Sequence, residues 1–169
     1  MANTYVKIGS TVTASGSSAT IDFTSIPATY TDLKLVVSAR GTTTEGSGGH
    51  YYSIALNGSA TSKTQRFLQS DGSSASSGNS TSFTTYMCPS DFTASTFSNA
   101  EIYLPNYAGS TNKSMSVDVV TENNATKSYA AFYAQLWSNT AAITQITLTA
   151  NAGNFAQYST ATLYGISKS

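Results

Sequence analysis

Residues 32–40 read Asp32-Leu33-Lys34-Leu35-Val36-Val37-Ser38-Ala39-Arg40. Leu33, Leu35, Val37 and Ala39 fall on one side of an extended chain, and Lys34, Ser38 and Arg40 on the other. A two-residue period is the signature of a strand with one face in a core, because successive side chains of extended backbone point to opposite sides. The same rhythm recurs in both directions along the chain. Met115, Val117 and Val119 alternate with Ser116, Asp118 and Val120, and Ile102 and Leu104 flank Tyr103. Segment 128–137 sets Tyr129, Tyr133 and Trp137 on one face and Phe132 and Leu136 on the other. Such a strand needs cover on both sides, as a central strand or a subunit interface would provide. Ser, Thr and Gly interrupt every candidate helical stripe.

The alternation predicts ten or eleven strands, over about 4–13, 18–24, 32–39, 50–56, 62–69, 81–87, 99–104, 113–121, 128–137, 142–149 and 157–166. Short strands separated by Gly, Asn, Asp and Ser turns imply an all-β fold: a two-sheet antiparallel β-sandwich of roughly ten strands, jelly-roll-like first and immunoglobulin-like second. Residues 1–169 read as a single domain, with no internal repeat and no dividing linker. Two segments, 41–49 and 70–80, are rich in Gly and Ser and read as flexible loops. They bracket an expected hairpin turning at Asn57-Gly58, which would bring both loops to one end of the sandwich as a contact surface.

Charged residues make up only 9% of the chain, and Ser and Thr together supply 54 of the 169 residues. With 11 Tyr, 7 Phe and many β-branched residues, the composition is nonetheless that of a folded chain. The formal net charge is zero, so no basic stripe is present to neutralise phosphates and no polybasic patch to meet a membrane. Neither nucleic acid nor membrane is therefore an expected partner. Low net charge gives little protection against self-association, which suits a protein working inside an assembly. The lone Cys88 cannot form an intrachain disulfide and is expected to be buried. Residues 1–8 lack the apolar run of a signal peptide, so synthesis in a cytoplasm is expected.

Catalytic patterns are sparse. With a single histidine, His50, no multi-histidine metal site is available, and no Gly-x-Ser-x-Gly elbow accompanies it. The eight acids, Asp22, Asp32, Glu45, Asp71, Asp91, Glu101, Asp118 and Glu122, are scattered singly. They form neither a calcium loop nor an evident glycosidase pair. No enzyme activity, cofactor or metal is expected. Binding is the better reading: Tyr51, Tyr52, Tyr107, Tyr164 and Ile166 are candidates for a subunit interface or glycan contact.

Three stretches carry a family resemblance: Ile21-Asp22-Phe23-Thr24-Ser25-Ile26-Pro27 followed by Tyr30-Thr31-Asp32-Leu33-Lys34-Leu35, then Ile54-Ala55-Leu56-Asn57-Gly58, and residues 143–166 ending Ser159-Thr160-Ala161-Thr162-Leu163-Tyr164-Gly165-Ile166. They resemble small jelly-roll-like virion structural proteins of tailed bacteriophages. The resemblance implies a capsid decoration or cement protein bound to the capsid or to other virion proteins, located in the virion and acting as a homotrimer. Its alternative is a tail- or head-fibre appendage domain that binds host-surface glycans.

Overall fold

The structure, a computed structural model, describes residues 4–124 and 127–167; the first three residues of the N-terminal reading lie outside it. Among the described residues thirteen strands follow one another. They are β1 (Tyr5–Lys7), β2 (Val12–Thr13), β3 (Thr20–Phe23), β4 (Asp32–Ala39), β5 (Tyr51–Leu56), β6 (Lys63–Ser70) and β7 (Ala75–Ser80). There follow β8 (Thr84–Tyr86), β9 (Ser98–Leu104), β10 (Lys113–Glu122), β11 (Ser128–Trp137), β12 (Ile146–Ala150) and β13 (Thr160–Ile166).

They pair into two antiparallel sheets. The larger runs β1-β13-β4-β9-β10-β11-β6-β7, with β2 also on β13, and the smaller runs β3-β12-β5-β8. β1 and β2 lie along the same edge of β13, bridged by the Ile8 amide on the Leu163 carbonyl, and so form one interrupted strand. Counting that edge as first and setting aside β6, β7, β10 and β11, the sheets run first-eighth-third-sixth and second-seventh-fourth-fifth. This is the strand order of a jelly roll. Two hairpins are inserted into it, β6–β7 between β5 and β8, and β10–β11 between β9 and β12. Both extend the larger sheet past β9 on the same side.

The core lies between the sheets, where alternate residues meet. Leu33, Leu35, Val37 and Ala39 are all buried, as are Ile54, Leu56, Ile102, Leu104, Ile146, Leu148 and Leu163. Cys88 is buried and free.

Two loop readings are corrected. Residues 70–80 are not a flexible loop throughout: only 71–74 turn, and β7 pairs with β6 from Gln65↔Ser80 to Ser70↔Ala75. Serine and glycine suffice there because Phe67 covers the site of a side chain at Gly78, where a Cβ would come 2.5 Å from the ring. Asn57-Gly58 does turn, at φ 50° and 68°, but it closes no hairpin. β5 belongs to the smaller sheet and β6 to the larger, so the turn carries the chain across the sandwich. Asn57 is held by the 142–145 segment instead: its amide donates to the Ala142 carbonyl, and its Oδ1 accepts from the Thr144 and Gln145 amides.

Candidate contact surface

Within the four-strand extension one strand carries apolar side chains on both faces. On β11, Tyr129, Ala131, Tyr133, Gln135 and Trp137 point inward and are buried. Outward point Ala130, Phe132, Ala134 and Leu136, all exposed. From Ala130 to Leu136 that outer row carries no polar side chain. β6 continues the pattern, burying Gln65 while Leu68 faces solvent. Gln65 and Gln135 satisfy each other inside, since the Gln135 amide donates to Gln65 Oε1, which also accepts from the Thr84 amide.

The register fixes how the outer side chains line up. Leu68 lies opposite Phe132, and Phe132 opposite Asp118; one row along are Arg66, Ala134 and Ser116; on the other side Ser70, Ala130 and Val120. Exposure is 65% for Phe132, 61% for Leu68, 54% for Val120 and 38% for Leu136. A surface depression of about 560 Å³ lies here between Leu68, Ala75, Val120, Ala130 and Phe132. It is shallow, and further shallow depressions extend it over the outer faces of β6, β10 and β11. Toward β9 the surface turns polar. Lys34 pairs with Glu101 at 2.7 Å, and the Tyr103 hydroxyl donates to Asp32 at 2.7 Å. Partial desolvation and the nearby Glu101 push the Asp118 carboxyl above its ordinary value, with Lys34 opposing.

The five residues expected to make contacts are dispersed. Tyr52 and Tyr107 are fully buried and cannot touch a partner, which corrects that reading. Tyr52 points between the sheets and packs on Phe155. The Tyr107 hydroxyl donates to the Pro27 carbonyl and accepts from the Tyr30 amide, so this side chain ties two loops together. Tyr51 is half-buried against His50 and Tyr86. Tyr164 and Ile166 remain partly exposed on β13, where Tyr164 meets the Tyr5 ring edge-on. They share the outer sheet face with Phe132 but stand four strands away from β11, beyond the polar band. Alternation along β11 places Phe132 and Leu136 on one face of the strand but does not show their company. Leu68 and Val120 join them only through the register of β6 and β10.

A second cluster sits where the 41–49 loop, the 71–74 turn and the start of β11 meet. The Glu45 carboxylate accepts from Lys127 at 2.6 Å and from the Tyr129 hydroxyl, and the Ser128 amide reaches the Asp71 carbonyl. Burial works to raise the Glu45 carboxyl, but the bonds from Lys127 and Tyr129 outweigh it and hold the group below its ordinary value. Burial, followed by Glu45 as hydrogen-bond acceptor, pushes the Tyr129 hydroxyl up to about 12. His50 Nδ1 donates to the Glu45 backbone carbonyl at 3.0 Å, and burial lowers its basicity. Here rings pack on rings and the Glu45 carboxylate ties Lys127 to Tyr129, so the cluster fastens the loop end. Among the described residues no group of three or more His, Cys, Asp and Glu side chains is arranged to hold a metal ion.

No family model and no curated protein matches this chain.

Proposed function

We propose that this chain is a virion structural protein of a tailed bacteriophage, a decoration or cement subunit that docks on the outer capsid surface. The observation that carries its assembly role is the outer row of β11, apolar from Ala130 to Leu136 and flanked by exposed Leu68 and Val120. Burying a large apolar side chain is worth roughly 1.5–3 kcal/mol, so covering Leu68, Val120, Phe132 and Leu136 in a contact between subunits yields a driving force of several kcal/mol. A contiguous apolar patch of this kind on an otherwise hydroxyl-rich surface marks a protein contact. The resemblance of residues 21–35, 54–58 and 143–166 to small virion proteins supplies the assembly context. Zero net charge suits dense packing of identical copies. The chain then acts by binding, adding association energy at each of many repeated positions.

The rival reading, a fibre domain holding host glycans, calls for open aromatic faces at the loop end. There Tyr86 and Tyr129 turn their faces toward each other.

The test is co-sedimentation of the purified chain with capsids lacking it, followed by imaging of the decorated particles. Saturable binding with added density on the outer shell is expected. Binding to glycans with none to capsids would favour the rival, and binding to neither would sink both.

A further inference from the structure

We infer that the outer face of β6, β11 and β10 is covered by a second copy of this chain, the two related by a two-fold axis running along β11. The inference rests on reading the chain as an assembly subunit, and it names the occupant of the apolar face.

Charge placement selects that occupant. Arg66 on β6 and Asp118 on β10 straddle the apolar row of β11, one residue row apart. Among the described residues neither belongs to an ion pair; the Arg66 guanidinium donates only to the adjacent Gln65 carbonyl. Adjacent strands lie about 4.8 Å apart, so the two opposite charges flank the stripe at about 10 Å. A two-fold axis along β11 lays β6 of one copy over β10 of the other. Phe132 then meets the partner's Phe132 across the axis, with the small Ala130 and Ala134 leaving room on either side. Leu68 falls in the row of the partner's Asp118, beside the partner's Val120. Arg66 reaches the partner's Asp118, and symmetry repeats the pair. The surface is thus complementary to itself in charge and shape, as a two-fold contact requires. Sheets packed face to face stand about 10 Å apart, a gap that these side chains can fill.

Sedimentation equilibrium of the full chain tests this. The wild type should show twice the chain mass of 17.6 kDa. R66D and D118R should each fall to the single-chain mass, because each places like charges against one another. An equimolar mixture of the two variants should regain the doubled mass, since opposite charges again face across the axis. A134R sets like charges together at the axis and should lose the dimer, independently of whether the other two variants fold; circular dichroism checks folding throughout. A wild type that stays monomeric, a trimeric mass, or folded variants that remain dimeric overturns the inference, as does a mixture of folded R66D and D118R that stays monomeric. A dimer that ignores capsids leaves this contact standing and sinks the virion reading. A monomer that binds capsids does the reverse.

Discussion

Tyr86 and Tyr129 stack ring on ring, with centroids 4.2 Å apart and planes 9° from parallel. Tyr86 ends β8 in the smaller sheet and Tyr129 is the second residue of β11 in the larger, so the stack fastens the two layers at the loop end. The Tyr129 hydroxyl also holds Glu45, and the Tyr86 hydroxyl donates to Gln69. Y129A should cost about 3–5 kcal/mol, the range for removing a large buried ring. Y129F keeps the stack and loses the hydroxyl's bonds to Glu45 and Lys127, so it should cost about 1–2 kcal/mol. Urea unfolding of both variants checks the difference.

The same cluster sets an acid limit on stability. His50 is less basic folded than unfolded, chiefly through burial; Glu45 and Asp91 oppose this and Lys127 assists it. Its contribution is therefore complete above the unfolded value near 6.5 and is lost as pH falls through the lower folded value. Glu45 is also depressed on folding, so its share is present above about 4.3 and lost below. Unfolding midpoints measured against pH should decline in two stages. H50Q should flatten the first and E45Q part of the second. Asp71, held at about 2 by the Ser74 and Ser73 amides and the Ser73 hydroxyl, accounts for what remains below.

Arg40 gathers the 90–96 loop. Its Nη1 donates to the Thr93 and Thr96 carbonyls and its Nη2 to the Ser90 and Phe92 carbonyls, each at 2.9 Å. A lysine ammonium cannot span both pairs, because it lacks the planar fork. R40K should cost about 2–3 kcal/mol, with faster amide hydrogen exchange confined largely to the 90–96 loop.

Gly165 is set by space rather than flexibility. A Cβ there would lie 2.3 Å from two carbons of the Tyr30 ring. G165A should displace that ring and cost about 1–3 kcal/mol. Combined with Y30A the penalty should shrink, and a double-mutant cycle reads the coupling. Simple additivity would show that the ring does not depend on the glycine.

The strands of the jelly roll were legible because burial on one face writes itself as alternation: Leu33, Leu35, Val37 and Ala39 announce β4 without help. β7 was hidden because Ser76, Ser77 and Gly78 have no apolar rhythm of their own; pairing with β6 and the ring of Phe67 hold them extended. Tyr52 and Tyr107 misled because a tyrosine at an alternating position serves core and surface equally well. Tyr107 goes inside because a carbonyl and an amide await its hydroxyl there.

The sequence by itself determined that the chain is all-β, nearly uncharged, and apolar on both sides of one strand, since these depend on composition and on neighbours two residues apart. Tertiary structure alone decided which sheet each strand joins, and that Leu68, Phe132 and Val120 share one open face between Arg66 and Asp118. Those residues are far apart in the chain, and only the hydrogen-bonded register of β6, β11 and β10 sets them side by side.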